Sequence, residues 1–186
     1  AIICSSGRAD MLVNLVGFQL GWFACVLGAA YGHPLLGPIV ALPIIGWHLA
    51  RQADKGMELR LLLLTVLIGS AFDQSLMLLD LVRYSANLWQ AGWLPIWMMT
   101  LWALFATTLN VSLRWLERRP AIAILFGLVG GPLAYWGGAR LGAIQWQQPI
   151  ALLIALAIGW AVLMPVLGKL ASTLRARRLT AGALHV

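Results

Sequence analysis

The chain has 186 residues, of which 61% are hydrophobic and only 10% are charged, and its mean hydropathy is +0.86. A soluble domain has about 45–50% apolar and about 25% charged residues, so this composition excludes a water-soluble fold and indicates an integral membrane protein. The net charge is +7, but no soluble basic domain is present, so nucleic acid is not an expected partner.

Apolar stretches separated by short polar connections predict six membrane-spanning helices, because a helix needs about 20 apolar residues to cross a bilayer. We expect them at about residues 12–31, 35–50, 61–81, 96–115, 121–143 and 150–170. Residues 1–10 are predicted to be an N-terminal extension or a disordered tail, residues 11–171 the six-helix transmembrane domain, and residues 172–186 a basic cytoplasmic tail. Trp89, Trp93 and Trp97 are predicted to lie at one membrane interface.

The basic residues fix the predicted orientation. Eleven of the thirteen fall on one side of the six spans, and only Arg83 and Arg140 fall on the other. Basic residues are retained on the cytoplasmic side of membrane proteins, so both termini are predicted to be cytoplasmic. The predicted fold class is therefore an all-α bundle of six transmembrane helices, N-in and C-in, whose charge needs no polyanionic partner. Membrane lipids are its expected surroundings.

The third span, within residues 58–84, carries two acidic residues. Asp73 and Asp80 are seven residues apart, so one helix would place both on one face, together with Thr65 and Gly69. A carboxylate at membrane depth costs on the order of 3 kcal/mol, so it is expected to face the protein interior and a partner. We predict that the other helices close over this face.

Polar residues sort into two layers by depth. The outer layer contains His33, Asp73, Asp80, Tyr135 and Arg140, and the cytoplasmic layer contains Gln19, His48, Asn110 and Arg114. Asp73 and Arg140 are predicted at similar depths, so they could form a buried pair. Such a pair could be architectural, which we favour, or could mark a proton or anion path. The cytoplasmic layer is expected to make interfacial contacts.

Small residues recur every three or four positions in spans one and five. The first row contains Gly17, Gly21, Ala24, Gly28 and Gly32, and the second contains Gly127, Gly131, Ala134, Gly138 and Gly142. Both rows predict faces for close helix packing. The shared spacing could indicate a parallel internal repeat, but we favour the simpler explanation that such rows are common in membrane helices.

Span five also contains Gly130, Gly131 and Pro132 near its middle. Proline removes a backbone donor, which predicts either a kink or a short unwound segment. An unwound segment would suggest a substrate site; a plain kink is the favoured expectation.

Motifs for common catalytic chemistry are absent: the sequence has no HExxH, GxSxG, GxGxxG or Walker arrangement. His33 and His48 lie at opposite ends of span two, so they cannot hold one haem. Cys4 and Cys25 are not placed for a structural disulfide. We expect no cofactor, no metal site and no catalytic residue.

Three stretches carry a resemblance: residues 18–22 (FQLGW), residues 101–116 (LWALFATTLNVSLRWL) and residues 130–143 (GGPLAYWGGARLGA). Together they resemble a family of small bacterial inner-membrane proteins known only as a domain of unknown function. The similar region runs from Met11 to about Leu170. The resemblance implies a multi-pass protein of the bacterial inner (cytoplasmic) membrane and a genomic context of lipid modification, and it assigns no functional residue.

Three functions remain open, in this order. The first is a non-catalytic subunit or scaffold that binds another integral membrane protein or lipid-modifying enzyme, or a second copy of itself. The second is a small transporter or channel that uses the Gly130–Pro132 segment and the Asp73–Arg140 layer. The third, motivated mainly by the resemblance, is a membrane enzyme that acts on lipid.

Overall fold

The computed structural model describes residues 3–89 and 92–183, with side chains from 7 to 89 and from 92 to 176. Within these residues the chain is all-α, as predicted. The six helices are α1 (Ile3–Ala30), α2 (Leu36–Arg51), α3 (Lys55–Leu78), α4 (Ile96–Leu109), α5 (Pro120–Arg140) and α6 (Pro149–Ala183). A 3₁₀ helix (Arg114–Arg118) and two short strands, β1 (Val82–Tyr84) and β2 (Ile144–Trp146), complete the described elements.

Four helices of the described chain are long and apolar enough to cross a membrane. They are Gly7–Ala30 within α1, all of α3, all of α5 and Pro149–Ala176 within α6. Only 22–33% of their most apolar windows is buried inside the protein, so most of these helix surfaces face outward. This is the surface of a multi-pass membrane protein. Helices α2 and α4 are apolar but shorter, about 24 Å and about 21 Å long, and six crossings stay a prediction.

Both ends of the described chain lie at the same end of the bundle. Arg51 at the end of α2 contacts Asp10 near the start of α1, with 3.0 Å between Nη2 and Oδ1. Arg175 near the end of α6 pairs with Glu117 in the 3₁₀ helix. This arrangement agrees with an even number of crossings; the cytoplasmic assignment of this end rests on the charge pattern alone.

The opposite end of the bundle is closed by a two-stranded ribbon that the sequence analysis missed. Strands β1 and β2 pair antiparallel, with Val82 opposite Trp146 and Tyr84 opposite Ile144. Each strand has three residues, too few for an alternating pattern to be visible in the sequence. The ribbon joins the connection after α3 to the connection after α5.

The helices that lead to this end, α1, α3 and α5, finish with the same turn. Gly32, Asp80 and Gly142 have positive φ angles of 78°, 50° and 92°. In each case the next backbone N–H bonds to a carbonyl five residues earlier, which is the Schellman arrangement. The prediction that Asp80 shares a helical face with Asp73 is therefore wrong, because α3 ends at Leu78 and Asp80 lies exposed in the turn.

Helix α4 is shorter than the predicted span, which ran to residue 115. It ends at Leu109, and the N–H of Leu113 then bonds to the carbonyl of Thr108 as the chain turns. The hydroxyls of Thr107 and Thr108 donate to carbonyls one turn earlier in α4. Such side chains compete for backbone groups and favour a helix end.

The described parts of the terminal segments are helical and continuous with the first and last helices. Helix α1 begins at Ile3 and α6 continues to Ala183, and no proline interrupts residues 3–30 or the part of α6 after Pro165. The predicted domain boundaries at residues 10 and 171 stay predictions.

Helix α5 is continuous from Pro120 to Arg140, with Pro132 inside it. The hypothesis of an unwound segment at Gly130, Gly131 and Pro132 is therefore wrong. Proline removes one backbone donor, and the flanking residues keep their helical bonds. Gly127 and Gly131 instead allow Trp160 of α6 to lie directly against α5, because a Cβ at either position would overlap that residue.

Candidate functional site

The buried face of α3 carries a carboxylate that receives hydrogen bonds from three other elements. Asp73 has no exposed surface, and the hydroxyl of Tyr84 donates to its Oδ1 at 2.8 Å. The hydroxyl of Tyr135 also donates to Oδ1, and Nε1 of Trp102 donates to Oδ2 at 2.7 Å. We call Asp73, Tyr84, Trp102 and Tyr135 the Asp73 cluster. It joins α3, β1, α4 and α5 through one acidic group.

Aromatic rings pack around the Asp73 cluster. The ring of Trp102 stacks on Trp160, with centroids 5.0 Å apart and planes at 13°. The same ring occupies the space beside Gly69, where a Cβ would overlap it. Phe105 and Tyr135 meet Trp160 edge to face. This packing holds the three donors in place, because each belongs to an aromatic side chain with few rotamers.

Burial and the neighbouring Asp73 carboxylate raise the pKa of the Tyr84 phenol well above its ordinary value of 10. The phenol therefore keeps its proton at neutral pH and serves as a donor. Tyr84 lies in β1, outside the candidate spans.

The other residues of the predicted outer layer do not join Asp73. The guanidinium of Arg140 lies over the ring of Trp136 at 5.9 Å from its centroid, so the predicted Asp73–Arg140 pair is not formed. Asp80 forms an exposed pair with Arg83 at 3.3 Å. His33 is exposed in the turn after α1. Only Tyr135 of the predicted layer contacts Asp73.

The predicted packing glycines of α1 lie against three different neighbours. Gly17 faces Ile44 of α2, Gly21 faces Leu104 of α4, and Gly28 faces Leu36. In the second row, Gly127 and Gly131 face Trp160 of α6, whereas Gly138 faces Ile144 of β2 and Gly142 faces Ala30 of α1. The two rows therefore contact different neighbours. An added Cβ at Gly130 would have only the ring of Phe126 within 4 Å among the described residues.

A second polar cluster lies at the end of the bundle that holds both termini. Glu58 of α3 is only 2% exposed; its Oε1 lies 2.9 Å from Nε2 of His48, and its Oε2 accepts from Nδ2 of Asn110 at 2.7 Å. Arg175 donates to Oδ1 of Asn110 and pairs with Glu117. We call Glu58, His48, Asn110 and Arg175 the Glu58 cluster.

Two predicted members of the cytoplasmic layer, His48 and Asn110, therefore belong to the Glu58 cluster, and two do not. Gln19 is exposed on α1, and Arg114 is exposed in the 3₁₀ helix. A neighbouring group of hydrogen bonds ties α1 to the end of α4, since Asn14 donates to the carbonyl of Thr107 and accepts from the hydroxyl of Ser112.

Four residues of the two clusters were not predicted as site residues: Glu58, Tyr84, Trp102 and Arg175. A signal for Glu58 was present, because it lies fifteen residues before Asp73 on the same helical face, with Thr65 between them. The donors from Tyr84 and Trp102 had no such signal, since their contacts depend on the packing of separate elements.

The carboxylates of Asp73 and Glu58 are both engaged in hydrogen bonds to side chains of other elements. A cavity of about 70 Å³ between α1, α4 and α5 reaches Tyr135 and Trp102, which is too small for a lipid tail without side-chain movement. Within the described residues, no group of three His, Cys, Asp or Glu side chains could hold a metal ion.

These features define the class: a multi-pass α-helical membrane protein with buried carboxylates that link its helices. The chain belongs to the family of proteins of unknown function DUF2878, whose model matches residues 11–166. This confirms the resemblance to a domain of unknown function. No curated protein and no solved structure matches the chain.

Proposed function

We propose that this protein is a non-catalytic subunit of a bacterial inner-membrane complex and that its partner is another integral membrane protein. Both of its termini would be cytoplasmic, as the distribution of basic residues favours. The observation that carries the proposal is the Asp73 cluster, in which a buried acid is used to hold four elements of the same chain.

An intramembrane acid normally suggests a transport or catalytic role. Here the Asp73 carboxylate accepts three hydrogen bonds from neutral donors and has no exposed surface, and the Glu58 carboxylate is bonded to His48 and Asn110. Groups arranged in this way stabilise helix contacts. What remains for interaction with other molecules is the large apolar surface of the helices.

The face best shaped for a partner helix lies between α3 and α4 near the ribbon end. A groove of about 460 Å³ is lined there by Leu67, Ser70 and Ala71 of α3, by Met99 of α4, and by Trp93 of the connection between them. Small residues such as Ser70 and Ala71 let a neighbouring membrane helix approach closely. Leu67 and Trp93 are both about two-thirds exposed and would border such a helix.

The test is photo-crosslinking from this groove in native membranes. A photoreactive amino acid at Leu67 should capture a second membrane protein, which mass spectrometry would identify after purification in a mild detergent. The matched control is the same substitution at Ile158, an equally exposed position on α6. If the Leu67 variant formed no crosslinked product, the proposal would be overturned. A crosslinked product of twice the chain mass and no other would also overturn it and would indicate a homo-oligomer.

A second candidate, a small proton-coupled transporter, is favoured by one observation. The buried face of α3 carries Glu58, Thr65 and Asp73 in one row, about 22 Å from first to last. The Thr65 hydroxyl is buried and has no hydrogen-bond partner within the described residues. A row of polar groups through a membrane helix is what a proton relay requires.

Proton flux into liposomes loaded with a pH-sensitive dye would test the transporter hypothesis. Wild-type protein should carry protons faster than empty liposomes, and Thr65→Val, which keeps the shape of the side chain, should abolish the difference. Equal flux in wild-type and empty liposomes would exclude proton transport of this kind.

A further inference from the structure

A large groove lies at the end of the bundle that holds both termini, where the 3₁₀ helix, α5 and α6 meet. Its volume is about 410 Å³, within the range of about 300–1,000 Å³ that is typical of ligand sites. We call it the α5–α6 groove. Its lining includes Leu116, Glu117, Ala123, Met164, Gly168 and Lys169.

The sequence explains why this groove is open. On α6 Gly168 has no side chain and the ring of Pro165 is compact, and on α5 Ala123 contributes only a methyl group. An added Cβ at Gly168 would meet no atom within 4 Å. The floor is formed by the buried side chains of Leu116 and Met164. The interior is therefore apolar and suits a hydrocarbon chain.

The rim of the groove carries uncompensated positive charge. Lys169 is exposed at the rim and forms no ion pair with the described residues. Glu117 also lines the groove, but its carboxylate is paired with Arg175. Arg118 and Arg119, which follow Glu117 in the chain, are exposed as well. A ligand with a negative headgroup therefore complements this rim.

Two exposed residues next to the groove in the chain fit a position near the membrane interface. Trp115 of the adjoining 3₁₀ helix is about half exposed, as expected for a tryptophan at a membrane interface. Val166, one turn of α6 before Lys169, exposes nearly half of its apolar side chain. Exposed apolar side chains and basic groups thus lie close together along the chain here, as a lipid's tail and headgroup require.

We infer that the α5–α6 groove binds an anionic glycerophospholipid of the surrounding leaflet. One acyl chain would lie between Leu116 and Met164, and the phosphate would contact Lys169. Arg118 and Arg119 would add attraction for the negative headgroup at longer range. This inference does not depend on the proposed subunit function, because it concerns a lipid and a different face of the bundle.

The test is to titrate the delipidated protein with lipid and to measure the lipid-bound fraction by native mass spectrometry. The two lipids are phosphatidylglycerol and phosphatidylcholine with identical acyl chains. The wild type should bind phosphatidylglycerol more tightly. Gly168→Leu, which fills the groove, should weaken phosphatidylglycerol binding about tenfold or more, because the new side chain displaces methylene groups of the lipid.

The matched control for this variant is Gly46→Leu. Gly46 also lies inside a helix, is exposed, and has no atom within 4 Å of an added Cβ, but it lies on α2, away from the groove. It should bind both lipids like the wild type. Equal affinity of Gly168→Leu, Gly46→Leu and the wild type for phosphatidylglycerol would overturn the inference.

A second variant tests the headgroup contact without filling the groove. Lys169→Gln should lose most of the preference for phosphatidylglycerol over phosphatidylcholine, while Lys55→Gln, an exposed lysine at the start of α3, should keep it. If Lys169→Gln keeps the wild-type preference, or if the wild type shows none, the lipid site is disproved even if Gly168→Leu does not fold.

Discussion

Nε1 of Trp102 lies 2.7 Å from Oδ2 of Asp73, and the same indole ring occupies the space left by Gly69 one turn earlier on α3. A single side chain of α4 thus satisfies the acid of α3 and packs against its backbone. The carboxylate is held by dipoles of neutral donors, and no cation of the described chain neutralises it. Such a cluster fixes the relative position of its helices, because leaving its donors unpaired in a membrane interior is costly.

Replacing the acid of this cluster should therefore destabilise the fold. In Asp73→Asn one oxygen becomes an amide nitrogen, which brings a donor against an existing donor of Trp102 or of the two tyrosines. We expect a loss of about 2–4 kcal/mol in the free energy of unfolding. The purified protein would be unfolded in mixed detergent micelles, with circular dichroism as the measure of the folded fraction.

The matched control for Asp73→Asn is Asp80→Asn. Asp80 is exposed, its pair with Arg83 is an exposed one, and asparagine tolerates a positive φ angle, so its replacement should change stability by less than about 0.5 kcal/mol. Equal stability of the two variants would show that the Asp73 cluster does not hold the helices together.

The raised pKa of Tyr84 predicts how stability depends on alkaline pH. An unfolded tyrosine loses its proton near pH 10, whereas the pKa of folded Tyr84 is higher, so this group stabilises the fold fully below pH 10. That contribution is lost as the pH rises from 10 through the folded pKa. The wild type should lose up to about 1.4 kcal/mol per pH unit more than Tyr84→Phe over that range.

Unfolding free energies of both proteins, measured from about pH 8 to about pH 11, would check this. At the lower end Tyr84→Phe should be less stable by about 1 kcal/mol, because it lacks one hydrogen bond to Asp73. Parallel curves across the whole range would contradict a buried, protonated Tyr84.

Two adjacent glycines of α5 should respond oppositely to the same substitution. A methyl group at Gly131 would overlap the ring of Trp160, so Gly131→Ala should cost about 1–3 kcal/mol. At Gly130 the nearest atom to an added Cβ is a ring carbon of Phe126 at 3.8 Å. Gly130→Ala should therefore be neutral or stabilising by up to about 1 kcal/mol, because alanine favours a helix.

Thermal unfolding of the two alanine variants beside the wild type would measure this difference. The result also bears on the shape of α5: were the helix unwound at Gly130, alanine would not be tolerated there. A loss at Gly130 as large as that at Gly131 would contradict the continuous helix.

The sequence was sufficient to predict the membrane class, the helical fold and a buried, protein-facing Asp73. The last prediction followed because a carboxylate within an apolar membrane helix is costly unless it faces the protein interior. It was not sufficient to identify the partner of Asp73. Arg140 was chosen by charge and depth, whereas the structure supplies Tyr84, Trp102 and Tyr135 from three other elements. Neutral donors in a sequence rich in aromatic residues carry no distinguishing pattern.

Helix ends were the other source of error. Asp80 was assigned to the face of Asp73 because the apolar stretch continues past it, but the Schellman turn ends α3 two residues earlier. Trp97 is fully buried, and its Nε1 donates to the carbonyl of Ser85, while its position at the membrane interface stays a prediction. The turn after α3 leads into the ribbon of β1 and β2, which pairs distant parts of the chain and so leaves no local pattern in the sequence.

Six crossings with both termini cytoplasmic can be tested by labelling single cysteines in whole cells. In a background without Cys4 and Cys25, cysteines at His33, Arg83 and Gln145 occupy the three connections that follow α1, α3 and α5, and they should react with a membrane-impermeant maleimide. A cysteine at Arg118, an exposed position between α4 and α5, should react only after the cells are opened. The same four positions test the two short helices separately. If α2 did not cross, α3 would return the chain to the cytoplasm and Arg83 would be protected, whereas if α4 did not cross, Arg118 would be labelled in intact cells and Gln145 would be protected. Protection of His33, Arg83 and Gln145 together with labelling of Arg118 would instead reverse the orientation.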